Sequence, residues 1–173
     1  MFFTDPVRTP EPEVTASRLP SGSAIVYRTY GAPDAEARAR RLLAIARSRG
    51  LKLLIGQDVG LARRVGADGV HLPERLAHRA APLKRTHPGW IITAAAHSHR
   101  AARLIGADAV VISVALPSRS PSAGPALGPV RLAARVRATG RVAYALGGIN
   151  NKTARRLLGA GLIGLAAVEG FGA

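Results

Sequence analysis

A short pattern occurs twice in this chain and constrains its fold more than any other feature. It reads Gly66-Ala67-Asp68-Gly69-Val70-His71-Leu72, and again Gly106-Ala107-Asp108-Ala109-Val110-Val111-Ile112. Each copy follows an Arg-bearing run, Leu61-Ala62-Arg63-Arg64-Val65 or Ala101-Ala102-Arg103-Leu104-Ile105, whose apolar residues fall at helical spacing. Glycine just past such a run is the usual helix stop, so Gly66 and Gly106 are expected to be C-cap residues. The apolar run after each Asp is too short for a helix and too continuous for a half-exposed strand. It has the character of a parallel strand covered on both faces. A looser third copy is Leu157-Leu158-Gly159-Ala160-Gly161-Leu162-Ile163-Gly164-Leu165-Ala166. Helix, glycine turn and buried parallel strand thus repeat, and a closed (β/α)8 or TIM barrel is the simplest fold that repeats them.

The rest of the chain fills in that barrel. Strands are expected at 2–4, 24–28, 51–55, 69–72, 90–94, 109–113, 142–145 and 163–168. Helices are expected at 11–18, 35–49, a run ending at Val65, 73–84, 97–105, 129–139 and after Asn151. The 173 residues suit one domain, 1–173, yet a barrel of this kind typically takes about 250. Compact loops are therefore expected, with the last helix missing or vestigial. Bare barrel wall beside the eighth strand would best be covered by a second copy, so a homo-oligomer, in the simplest case a dimer, is expected.

Composition narrows the partners. The formal charge is +15, from 25 Lys and Arg against 10 Asp and Glu. The basic residues are spread along helical faces, as at Arg38, Arg40, Arg41, Arg47 and Arg49, and only 4% of residues are aromatic. Such a charge suits nucleic acid or a small phosphorylated ligand, but this pattern describes a solvated basic surface rather than a nucleic-acid site. The absence of Cys excludes disulfides, thiolate catalysis and thiolate metal sites. No apolar run approaches the roughly 18 residues of a membrane helix, and Met1-Phe2-Phe3-Thr4-Asp5-Pro6 is too short and acidic for a signal peptide. A cytoplasmic protein with no membrane partner is expected.

Barrels of this type place chemistry at the C-terminal strand ends. Residues expected there include Asp5, Arg28, Gln57, Asp58, His71, His97, Ser113, Ser118, Ser120, Gly147, Gly148, Asn150 and Glu169. Gly147 and Gly148 open a turn after the seventh strand whose backbone N–H groups suit a phosphate. Ser118, Arg119 and Ser120 offer two hydroxyls and a guanidinium for phosphate oxygens. Arg28 should point into the mouth, toward a phosphate or a salt bridge with Asp5 or Asp58. His71 and His97 are candidate acid–base groups near neutral pH, although His71, alternating with Val70 and Leu72, equally fits a core histidine. Asp58 is the candidate Mg²⁺ ligand.

Phe3-Thr4-Asp5-Pro6, Arg28, the first heptapeptide, His97, Pro117-Ser118-Arg119-Ser120 and Leu146-Gly147-Gly148-Ile149, in this order along nearly the whole chain, resemble the thiamine phosphate synthases and their sister family, the thiazole tautomerases. The resemblance implies a barrel that joins a pyrimidine methyl pyrophosphate to a thiazole phosphate and releases pyrophosphate, with Mg²⁺ on the departing group. It also implies that Arg28 binds pyrophosphate. Several positions depart from the family pattern. Gln57 stands for the first metal carboxylate and Leu76 for the second. Val26 replaces a Gln, Tyr30 and Pro121 replace lysines, Ala95 a Ser, and Val114 the second histidine of the tautomerases. A divergent synthase with weakened or lost Mg²⁺-dependent activity is therefore expected. The alternatives are a tautomerase-like enzyme and a non-catalytic binder of a phosphorylated ligand.

Overall fold

The computed structural model describes residues 1–29, 31–98, 106–120 and 123–170. Eight strands, β1 (Phe2–Phe3), β2 (Ala24–Tyr27), β3 (Lys52–Gly56), β4 (Gly69–Leu72), β5 (Ile91–Ala96), β6 (Ala109–Ser113), β7 (Ala143–Leu146) and β8 (Gly164–Ala166), form one sheet. Their order is sequential and every pairing is parallel. The sheet curls until Phe3 N–H donates to Ala167 O at 2.9 Å, joining the last strand to the first. This is the expected (β/α)8 barrel.

Between the strands lie α1 (Pro12–Ala16), α2 (Ala35–Arg49), α3 (Val59–Val65), α4 (Ala80–Thr86) and α5 (Gly128–Thr139). Alternation along each strand divides the apolar residues into two sets. Ile25, Leu53, Ile55, Val70, Ile92 and Ile112 pack outward against helix residues such as Leu42, Ala46, Leu61 and Leu132. Phe3, Val26, Leu54, Val111 and Ala166 form a separate cluster that fills the barrel interior. Only residues on the interior side of the strands can reach the mouth, which fixes where functional side chains belong.

Both copies of the repeat use their Asp in the same way. Asp68 Oδ2 accepts the Leu53 N–H at 2.9 Å and Oδ1 pairs with Lys52 Nζ at 3.0 Å. Asp108 Oδ2 accepts the Ile92 N–H at 2.8 Å and Lys84 Nζ at 3.0 Å. Each Asp therefore ties the N-terminal end of its strand to the strand before it, at the base of the barrel.

The structure corrects several expected elements. Gly66 ends α3 in the left-handed region at φ 71°, as expected of a C-cap. Gly106 does not adopt a positive φ; a Cβ there would lie 2.9 Å from Ala81 Cβ, so close packing under α4 accounts for this glycine. The helix expected at 73–84 divides into a 3₁₀ segment, Glu74–Arg79, and α4. The helix expected after Asn151 is a 3₁₀ turn, Ala154–Leu157, because Gly159 at φ 79° and Gly161 at φ 75° turn the chain soon afterwards. The eighth strand is shorter than expected. The helix expected at 97–105 lies largely outside the described residues, as do Tyr30 and Pro121. Among the described residues no helix follows β8, and none is long and apolar enough to cross a membrane.

Candidate functional site at the barrel mouth

A cavity of about 930 Å³ opens at the C-terminal ends of the strands. Of the sequence candidates, Arg28, His71, His97, Ser118, Ser120, Gly147 and Gly148 all line it, together with Gln57, Ser113, Asn150 and Glu169. Asp58 does not. Its carboxylate accepts the Leu61 N–H at 2.8 Å and caps the start of α3.

His71 comes up from β4 into the interior and forms part of the floor. Its Nδ1 lies 2.9 Å from Thr93 Oγ1 on β5, and its ring meets Phe3 edge-on with centroids 5.0 Å apart. Burial, with smaller contributions from the Arg28 and His97 charges, pushes its pKa down to about 3. His71 is therefore neutral across the physiological range, with one ring nitrogen tied to Thr93.

His97 follows β5 and is held on three sides. Its N–H donates to Glu74 Oε2, its carbonyl accepts Arg135 Nη1 at 2.6 Å, and its Nδ1 lies 3.0 Å from Ser113 Oγ on β6. Arg28 donates from Nε to Thr4 O at 2.7 Å and pairs with Asp5 at 3.3 Å. The salt bridge weighed from sequence thus forms, and the Asp5 carboxylate also takes Arg8 at 3.2 Å. The Arg8 bonds and two backbone N–H groups, from Arg8 and Val7, outweigh burial and hold the Asp5 pKa below the usual carboxylate value.

Gly147 and Gly148 turn the chain after β7 at φ 104° and 66°. A Cβ on Gly148 would lie 2.3 Å from Pro117 O, so only glycine lets this turn pass beneath the Ser118 loop. Thr153 Oγ1 donates to Gly148 O at 2.8 Å, and Asn150 Oδ1 accepts the N–H groups of Lys152 and Thr153. Among the described residues the N–H groups of Gly148 and Ile149 have no acceptor, which leaves two donors turned loose at the mouth.

The described residues do not assemble a Mg²⁺ site. Gln57 offers an amide whose Oε1 already accepts Arg75 Nη2 at 2.7 Å. Glu74 is committed through both oxygens, to the His97 N–H and to Ser98 Oγ. Asp58 is a helix cap, and among the described residues no three His, Asp or Glu side chains converge on a common point.

Sequence reasoning missed Arg8, Arg135, Thr93 and Thr153. For Arg135 a signal existed. It lies three residues after Leu132 and next to Val136, both buried, on the inward half of α5.

Fold and cavity together define a (β/α)8 barrel with a polar mouth lined, among the described residues, by four arginines. Residues 1–171 match the family described as thiamine monophosphate synthase. Among curated relatives, a thiamine-phosphate synthase from Chromobacterium violaceum is 35% identical over 91% of this chain and 79% of its own length. One from Thiobacillus denitrificans is 31% identical over 91% of this chain and 77% of its own length. A solved thiamine phosphate pyrophosphorylase from Pyrococcus furiosus superposes with a TM-score of 0.79 at 26% identity, covering 99% of this chain and 86% of that one. The chain belongs to the thiamine monophosphate synthase family.

Proposed function

We propose that the mouth binds the thiazole phosphate of thiamine synthesis, and that its coupling to a pyrimidine methyl pyrophosphate proceeds slowly and with little response to Mg²⁺. The observation that carries this reading is the convergence of Arg28, Ser118, Ser120, Gly147 and Gly148 on one cavity beside His71 and His97. Hydroxyls, a guanidinium and the unclaimed N–H groups of Gly148 and Ile149 form a donor set suited to a phosphate dianion. In the coupling, the bond from the methylene carbon to the pyrophosphate oxygen breaks and its electron pair leaves with pyrophosphate, while the lone pair of the thiazole ring nitrogen forms the new carbon–nitrogen bond. Cationic groups facing those oxygens stabilise the developing charge. Gln57 and Leu76, standing where the family pattern has metal carboxylates, support the weak metal dependence.

Calorimetric titration with thiazole phosphate, followed by a coupling assay with both substrates, tests the reading. Saturable binding in EDTA is expected, with thiamine phosphate formed at a rate that Mg²⁺ changes little. Lack of saturable binding overturns the proposal. Binding without any product, with or without Mg²⁺, makes the protein a carrier of the phosphorylated thiazole.

A further inference from the structure

We propose that Arg135 and Arg119 form a metal-free subsite for the oxyanions of a diphosphate ester on the wall of the mouth. The proposal rests on the reading of the mouth as a site for phosphorylated ligands, and it names what takes the place of a divalent cation there.

All ten Asp and Glu of the chain lie among the described residues. Asp34, Glu13 and Glu36 pair with helix arginines on the outside of the barrel. Asp68 and Asp108 are bound at the base, Asp58 caps α3, and Glu74 holds the His97 backbone and Ser98. Asp5 faces Arg8 and Arg28. Among the described residues Glu11 and Glu169 make no ion pair, and Glu169 itself lines the mouth. Of the four arginines among the described residues that line the mouth, this leaves Arg119 and Arg135 with no Asp or Glu within ion-pair distance.

Arg135 is half-buried. Its one hydrogen-bond partner among the described residues is the neutral His97 carbonyl, and its Nε is buried without an acceptor. A partly desolvated guanidinium with no counter-charge is costly. A bound anion would remove that cost, and the planar guanidinium fork matches phosphate oxygens better than an ammonium does. Arg119 stands on the exposed loop beside Ser118 and Ser120, free to close on the same ligand. Two cations paired with no carboxylate, in a cavity of about 930 Å³ whose acidic lining residue is Glu169, suit an anion carrying more charge than the monoester assigned to the Gly148 turn.

The test is calorimetry of inorganic pyrophosphate against the full-length chain in EDTA. Saturable binding is expected, and adding Mg²⁺ should not tighten it. Arg135→Gln and Arg119→Gln should each weaken binding about tenfold or more, the usual size of a charge-assisted contact. Arg137→Gln removes the same charge from the same helix but lies off the mouth, and should leave affinity unchanged. If Arg135→Gln disturbs folding, Arg119→Gln, on an exposed loop, still decides the matter. Pyrophosphate binding that appears only with Mg²⁺ overturns the proposal, as does equal weakening by all three substitutions. Should pyrophosphate fail while thiazole phosphate still binds, the subsite alone is wrong; if thiazole phosphate also fails, the reading of the mouth falls with it.

Discussion

At the base of the barrel Asp68 and Asp108 each accept a backbone N–H from the preceding strand and pair with a lysine. At the mouth the cavity is lined by Arg8, Arg28, Arg119 and Arg135, and its acidic lining residue is Glu169. One end uses carboxylates to hold strands in register; at the other, Asp5 takes Arg8 and Arg28 while, among the described residues, Arg119 and Arg135 have no carboxylate partner. A closed sheet of parallel strands supports both, because each strand carries one end of its chemistry at its start and the other at its finish. The excess of cations at the mouth is therefore local to Arg119 and Arg135, since Asp5 already pairs with the other two arginines that line it.

The largest way to break this comparison is to remove the base carboxylates. Asp68→Ala leaves the Leu53 N–H without its acceptor, and Asp108→Ala does the same to Ile92. Each should cost about 2 kcal/mol of unfolding free energy, within the range for an orphaned backbone donor. The two sites tie different strand pairs, so the double variant should lose about the sum. Urea denaturation monitored by circular dichroism measures this. Losses below about 0.5 kcal/mol would show that the repeated Asp is not what secures the base.

Much of this architecture was legible from local sequence, because the glycine stop, the Asp and the buried apolar run are all specified within a few residues. What was not legible depended on contacts between elements. Gly106 has the spacing of a cap, but Ala81 across the helix layer decides its role. His71 could be placed inside the barrel by alternation, whereas Thr93, which fixes its ring, sits on the next strand. Asp58 follows a strand end, yet its hydrogen bond to Leu61 turns the carboxylate onto α3. The segment after Asn151 has helical composition, and the two glycines that follow leave it room for one 3₁₀ turn. The mouth could therefore be outlined from sequence, while which of its charges were already compensated could not.

His71 sits between the two ends, and its titration sharpens the contrast. Its folded pKa of about 3 lies below the ordinary 6.5. Between those values the unfolded chain binds a proton that the native ring excludes, so stability falls as pH drops below about 6.5. The slope approaches about 1.4 kcal/mol per pH unit for one group. Above that pH the group contributes nothing, since both states are neutral. His71→Gln should remove about 2 kcal/mol of the wild-type loss of stability between pH 8 and 5, all of it below about pH 6.5, read from denaturation midpoints at each pH. Identical slopes in the two proteins would mean that the ring is protonated in place.

The smallest stability effect expected is at Ser113, and its size carries the information. Ser113 Oγ sits 3.0 Å from His97 Nδ1 at the half-exposed edge of the mouth. The contact occupies Nδ1, so Nε2 is the ring nitrogen left to accept or give a proton. Ser113→Ala removes that constraint while leaving the backbone pairing of β6 with β7 intact, so the unfolding free energy should change by less than about 0.5 kcal/mol. Turnover at saturating substrate should nevertheless fall several-fold, with KM little altered, because the ring is misoriented rather than the ligand lost. Ser113→Thr, which restores a hydroxyl, should recover most of the rate. A stability loss above about 1 kcal/mol with turnover unchanged would place the Ser113–His97 pair with the base carboxylates, as part of what holds the barrel closed. The opposite result would make it part of what the mouth does.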